Sequence, residues 1–166
     1  MKLAAPITPC LWFDGNGKEA AEFYVSVFPD SKLGKIAYYP DTGKEIHGMD
    51  AGKVLTVEFS INGQTFTALN AGPEFKFSEA ISFQLMCETQ DEIDYFWNKL
   101  REGGGEEGPC GWLKDRFGLS WQVFPAMMTR ILSEGTPEQA KSVMDAFMKM
   151  KKFIVADIEA AYRKAA

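Results

Sequence analysis

The sequence predicts an α+β protein in which two βαβββ units form a half-barrel around a cleft, followed by a C-terminal helical extension. Three observations predict it. The order strand, helix, three strands occurs twice along the chain. Glu19-Ala20-Ala21-Glu22-Phe23-Tyr24 aligns with Glu92-Ile93-Asp94-Tyr95-Phe96-Trp97 at an offset of 73 residues, which also carries Pro9 onto Ser82. Near the end of each unit, Gly63-Gln64-Thr65-Phe66-Thr67 aligns with Gly118-Leu119-Ser120-Trp121-Gln122. One unit alone leaves an apolar sheet face uncovered, so the two are expected to pair within one domain. Residues 1–72 form the first unit, 73–126 the second and 127–166 the extension.

Residues 4–13 are apolar and end at the breaker Asp14-Gly15-Asn16-Gly17, which reads as a strand and a turn. Ala20, Phe23, Tyr24, Val27 and Phe28 recur at helical spacing over 17–28, and Pro29 stops the helix. A strand at 32–39, a polar loop at 40–52 and a strand at 53–61 follow. Asn62-Gly63 then signals a hairpin into a strand at 64–70. The second unit opens with a strand at 80–88. Thr89-Gln90-Asp91-Glu92 is a capping box, since the Thr hydroxyl and Glu carboxylate can satisfy the free amides of a helix start. Ile93, Phe96, Trp97 and Leu100 make that helix's apolar stripe, and Gly103 suits its C-terminus. Short strands at 108–113 and 119–124 flank a turn at 114–118. Thr136-Pro137-Glu138-Gln139 is a second capping box, opening a long helical region whose apolar face is Val143, Met144, Phe147, Ile154, Ile158 and Tyr162.

Composition bounds the function. Of the 166 residues, 46% are apolar, including 13 Phe, 4 Trp and 5 Tyr, which excludes a disordered chain. The net charge of −5, with no basic stripe, argues against a nucleic-acid partner. Cys10, Cys87 and Cys110 are widely spaced, which suits a reducing cytoplasm better than a disulfide framework or a CxxC metal site. No apolar run approaches a membrane span, and the N-terminal stretch is broken by prolines, so no membrane association is expected.

Trp12-Phe13-Asp14-Gly15, Phe28-Pro29-Asp30-Ser31, Ala68-Leu69-Asn70-Ala71-Gly72-Pro73, Cys110-Gly111-Trp112-Leu113-Lys114-Asp115 and Phe117-Gly118-Leu119-Ser120-Trp121-Gln122 carry a family resemblance. With the paired units, they make the chain similar to the vicinal oxygen chelate superfamily of glyoxalases, bleomycin-resistance proteins and extradiol dioxygenases. Within it the chain resembles the PhnB-like, 3-demethylubiquinone-9 3-methyltransferase-like branch. The resemblance implies a homodimer. It also implies that a divalent metal, where present, takes one ligand from the first and one from the last strand of each unit. The helix and hairpin anchors place those positions at Pro9, Thr67, Ser82 and Gln122, while a one-residue slip of the first strand would offer Cys10. None of the four is an imidazole, thiolate or carboxylate, so no metal or other cofactor is expected. An inward carboxylate or imidazole missed by this registration would favour an enzyme.

Other residues admit functional and structural readings. His47, the single histidine, is a lid or general base in one reading and a solvated loop residue in the other. Cys87 and Cys110 are nucleophiles or small packing residues. Lys114-Asp115-Arg116 is an anion contact or a turn held by its own charges. Gly103-Gly104-Gly105 follows a helix instead of a strand, so it gives no nucleotide fingerprint for a methyltransferase. Strand alternation turns Ser82, Gln84 and Met86 to one face with Thr67, Gln122 and Phe124 opposite, and Asn70 and Trp112 complete the candidate ligand-binding set. Such a wall is apolar with neutral hydrogen-bonding groups. It suits a small-molecule-binding protein with a metal-depleted cleft. The alternative is a lyase, dioxygenase or methyltransferase acting on a small carbonyl or aromatic substrate.

Overall fold

A computed structural model describes residues 3–165. The chain divides into Met1–Lys76 and Phe77–Ala166, each an α+β unit built on one four-stranded sheet that does not close on itself. In the first unit the strands are β1 (Cys10–Phe13), β2 (Lys32–Tyr38), β3 (Val54–Ile61) and β4 (Gln64–Asn70), in spatial order β1-β4-β3-β2. In the second they are β5 (Ser82–Cys87), β6 (Glu106–Glu107), β7 (Trp112–Lys114) and β8 (Ser120–Pro125), in order β5-β8-β7-β6. The orders correspond strand for strand, with the first and last strands of each unit parallel and adjacent. The repeat seen in the sequence is therefore a repeat of topology.

Each sheet is covered on one face by its helix, α1 (Gly17–Val27) or α3 (Gln90–Arg101). Ala20, Phe23, Tyr24 and Val27 of α1 are buried, as are Val57, Phe59, Phe66 and Ala68 of the strands beneath. Tyr24 stacks on Phe59 at 5.9 Å, and Phe59 on Phe66 at 5.3 Å. Ile93, Trp97 and Leu100 are buried on α3, with Leu113, Trp121 and Val123 on the strands; Phe96 is half-buried. Burying each Val, Leu, Ile or Phe side chain among them contributes roughly 1.5–3 kcal/mol. Asn62 and Gly63 both have positive φ, as the tight hairpin between β3 and β4 requires. Both capping boxes form: Thr89 with Glu92, and Thr136 with Gln139.

Five expectations need correction. The first strand is not 4–13 but Cys10–Phe13, because Pro6 and Pro9 cannot donate to a ladder, although the Pro9 carbonyl still accepts from Thr67 N–H at 3.0 Å. The polar loop at 40–52 holds a one-turn helix, α2 (Lys44–His47), between the left-handed glycines Gly43 and Gly48. The strand expected at 108–113 is replaced by β6 and β7, since Cys110 and Gly111 have φ of 53° and 78° and form a turn. Their amides pair instead with the C-terminal segment, Cys110 N–H to Met150 O at 2.8 Å and Gly111 N–H to Lys151 O at 2.7 Å. The long C-terminal helical region is three helices: α4 (Ala126–Glu134), α5 (Pro137–Phe147) and α6 (Val155–Lys164). Of its expected apolar face, Val143 and Ile158 are buried, but Met144 and Ile154 are exposed.

The fifth correction concerns register. Three residues, Asp14 to Asn16, link β1 to α1, whereas two, Glu88 and Thr89, link β5 to α3. The 73-residue offset that aligns the helices thus becomes 74 in the strands before them, carrying Phe13 onto Cys87. Cys10, not Pro9, stands opposite Thr67, and its counterpart is Gln84, not Ser82, standing opposite Gln122. At the far edge of the first sheet, β2 is largely exposed and twice shifts register against β3, between Leu33 and Ile36 and between Ala37 and Tyr38.

Candidate functional site

In the second unit, the face of the sheet turned away from α3 carries rows of side chains in register. Met86 stands beside Phe124, Gln84 beside Gln122 and Trp112, and Ser82 beside Ser120 and Lys114. Gln84, Met86, Trp112, Gln122 and Phe124 line one cavity of about 560 Å³, which Met128, Phe147 and Phe153 extend. Five of the eight candidate residues therefore meet in one place. A sixth, Ser82, orients one of them: Gln122 Nε2 donates to Ser82 Oγ at 2.8 Å, which leaves the Gln122 carbonyl oxygen as an acceptor. Met86 is 61% exposed, with its sulfur 3.8 Å from Thr129 Oγ1, so the cavity is open on that side.

The C-terminal segment belongs to this wall for physical reasons. The Gln90 side chain at the start of α3 donates to Phe153 O at 3.1 Å and accepts from Val155 N–H at 2.8 Å. Lys152 pairs with Asp94 at 2.5 Å. These contacts seat Phe153, which meets Phe147 edge to face at 5.7 Å. Sequence reading missed Gln90 as an anchor, because it was absorbed into the capping box.

Thr67 and Asn70 lie in the first unit. Thr67 is half-buried on the face away from α1, between Cys10 and Glu58. Asn70 is only 4% exposed. Its carboxamide accepts from Gly17 N–H at 2.8 Å, supplying the cap that Asn16 does not, and donates to Val54 O at 3.1 Å. Its backbone carbonyl accepts from Tyr39 Oη at 2.6 Å. Asn70 thus ties the start of α1 to the end of β4. Asn70→Ala is expected to destabilise the protein by about 2–3 kcal/mol, because a buried amide and a carbonyl lose their partner. Urea denaturation checks this, and a cost below about 0.5 kcal/mol would show that the amide finds another acceptor.

Several alternatives are settled by their surroundings. His47 Nδ1 accepts from Met49 N–H at 3.1 Å, so Nε2 carries the proton and donates to Thr42 O at 3.1 Å. The ring, 4.6 Å from Tyr39, serves its own loop instead of offering a free base. Burial, reinforced by Glu92, pushes the Cys87 thiol up to about 11, leaving it protonated and unreactive near neutral pH. Asp115 is the hub of its turn, not an anion contact: one oxygen accepts from Phe117 N–H at 2.9 Å and Leu119 N–H at 3.1 Å, the other from Trp121 Nε1 at 2.8 Å.

The equivalent first-and-last-strand positions are Cys10 with Thr67 in one sheet and Gln84 with Gln122 in the other. A thiol, a hydroxyl and two carboxamides do not fit the divalent metal of superfamily enzymes, which wants imidazole or carboxylate. The carboxylate that sequence reading missed is Glu58, beside Thr67 on the same face of β3. It lies over Gly34 of β2, where an added Cβ would be 2.8 Å from Glu58 Oε1. Its signal was the alternation of β3, which puts Glu58 on the face of Thr56 and Ser60.

The sequence matches the family model described as 3-demethylubiquinone-9 3-methyltransferase over residues 5–124. No curated protein matches it significantly. Among solved structures, the chain is similar to the PhnB protein from Bacillus cereus, with 33% identity and a TM-score of 0.62, covering 74% of this chain and 100% of that one. Protein PA1353 from Pseudomonas aeruginosa follows at 23% identity and a TM-score of 0.56, covering 72% and 96%. The fosfomycin resistance protein FosX from Listeria monocytogenes, solved with Mn(II) and sulfate, has 11% identity and a TM-score of 0.51, covering 79% and 97%. The last two likenesses are of fold alone.

Proposed function

Because the chain belongs to the 3-demethylubiquinone-9 3-methyltransferase family, PhnB-like members of the glyoxalase/bleomycin-resistance fold, we propose that it is a small-molecule-binding protein for an uncharged aromatic or carbonyl ligand. The observation that carries this reading is the placement of Gln84 and Gln122 at neighbouring register positions within an aromatic and thioether wall around about 560 Å³. That volume suits one small ligand, and two neutral amides can orient its polar group without supplying charge. Met86 and Met128 add adaptable contact surface. The reading includes binding without a metal or cofactor, by a homodimer in the cytoplasm. Among the described residues no helix is long and apolar enough to cross a membrane.

The test is calorimetric titration with 4-hydroxyacetophenone, compared with its charged analogue 4-hydroxybenzoate. The neutral compound is expected to saturate the protein and the carboxylate to bind at least tenfold more weakly, since its desolvation is not compensated. Gln122→Leu is expected to raise the Kd for the neutral compound about tenfold, equivalent to about 1.4 kcal/mol. Equal binding of both compounds, or no saturable binding of neutral aromatic alcohols and ketones, would overturn the reading. An enzyme acting on a small carbonyl or aromatic substrate is the second reading. Its support is Glu58, the carboxylate beside Thr67 in the first unit.

A further inference from the structure

A second cavity, of about 410 Å³, opens on the same unit at the β6 edge of the sheet. Glu79, Glu106, Trp112, Lys114 and Ser120 are among its lining residues. Register explains the grouping, because Ser120 pairs with Lys114 and Lys114 with Glu106 along one row. The charges in this row are unequally matched. Lys114 gives its ammonium to Glu79 at 2.5 Å, and that contact holds the Lys114 pKa above its ordinary value. Glu107 is drawn to Arg101 at 2.7 Å and to Trp97 Nε1 at 3.3 Å. Among the described residues, Glu106 has no ion pair or side-chain hydrogen bond of its own; Lys114 stands beside it in the ladder and feels its charge, but gives its ammonium to Glu79.

Ser120 supplies an independent observation. It is 0% exposed, and its Oγ has no hydrogen-bond partner, yet it lines this cavity. An unsatisfied buried hydroxyl is costly and is retained where something else satisfies it. The hydroxyl can donate or accept, and the neighbouring Glu106 carboxylate favours a partner that brings N–H groups and positive charge, with an apolar part that tolerates the Trp112 ring.

We propose that this cavity is a site for an organic ammonium ion, with Glu106 as the charge partner, Ser120 Oγ as an acceptor for one N–H, and Trp112 as the wall for the ammonium and its adjoining carbons. A cation beside an indole gains further attraction from the ring face. A metal ion fits less well, because among the described residues no group of three His, Cys, Asp or Glu side chains could hold one. The Lys114 ammonium bordering the cavity also disfavours a compact dication. This site stands apart from the ligand reading above, although Trp112 borders both cavities.

The experiment is calorimetry at low ionic strength with phenethylammonium chloride and its uncharged analogue 2-phenylethanol. Saturable binding of the ammonium is expected, with the alcohol at least tenfold weaker. Glu106→Gln is expected to weaken ammonium binding tenfold or more. Ser120→Ala is expected to weaken it several-fold while leaving the melting temperature unchanged or higher, since the buried hydroxyl is removed with its unmet hydrogen bond. Glu102→Gln, which removes an equal charge from a surface pair with Lys99, is expected to change binding less than twofold. No saturable binding at millimolar ammonium would overturn the proposal. Equal binding of the alcohol, or equal losses in Glu106→Gln and Glu102→Gln, would overturn it as well.

Discussion

Asp115→Ala is expected to destabilise the protein by about 3–5 kcal/mol, because it leaves several buried donors without their acceptor, at roughly 1–3 kcal/mol each. The carboxylate is only 3% exposed and accepts three hydrogen bonds, two from the amides of its own turn and one from the Trp121 indole. Removing it strands three donors where water has little access, and charge-assisted bonds are the strong ones. At about 2–4 °C per kcal/mol for a chain of this size, the melting temperature is expected to fall by roughly 10 °C. Asp115→Asn keeps one oxygen as acceptor for the two amides but presents N–H groups to an indole that can only donate. It is expected to recover about half of the loss. Differential scanning calorimetry of both variants checks the ordering, and an Asn variant as unstable as the Ala variant would show that the charge matters more than the turn geometry.

Gly111→Ala is expected to cost about 3 kcal/mol and to impair the larger cavity as well. Gly111 has φ of +78°, and a Cβ there would lie 2.4 Å from Phe153 Cε2 and 2.7 Å from the Val123 carbonyl oxygen. The left-handed conformation costs a non-glycine residue about 1–2 kcal/mol. Overpacking adds about 1–3 kcal/mol more, because the carbonyl belongs to a ladder that cannot move freely. The Phe153 ring, which lines the cavity, has to shift to make room for the added carbon. Binding of 4-hydroxyacetophenone is therefore expected to weaken together with stability. Gly118→Ala is the control: its φ is +87°, but nothing lies within 4 Å of the added carbon. A loss of only about 1 kcal/mol is expected there. Urea midpoints for the two variants separate steric exclusion from backbone strain, and equal losses would remove the steric account.

Local patterns in the sequence carried the elements that depend on neighbours in the chain. The Asn62-Gly63 hairpin, both capping boxes and the stripe of Ile93, Trp97 and Leu100 are such features. The alternation of β5 and of β8 also grouped Gln84 with Met86 and Gln122 with Phe124, but it set the two pairs on opposite walls, whereas they are neighbours on one sheet face. What escaped was set by contacts across long stretches of chain. Asn70 reaches Gly17, and Gln90 reaches Phe153 and Val155; no window of sequence contains both partners. The repeat alignment failed for a simpler reason. A gapless offset assumes equal links, and one extra residue between β1 and α1 inverts the face assigned to every residue of β1. The two short strands within 106–114 were misjudged because Cys110 takes a left-handed conformation that its residue type does not announce.

The margins of the first sheet bear on how this chain meets other chains. β1 at one margin is four residues long and follows two prolines. β2 at the other is longer, but its two register shifts break the row of backbone donors and acceptors, and Lys32 and Lys35 project from it. Neither margin offers a straight ladder onto which a foreign strand could add, so growth of the sheet into fibrous aggregates is disfavoured during synthesis and refolding. Another chain meeting these margins would have to associate through side chains, which leaves recognition there to shape and charge and not to shared backbone hydrogen bonds.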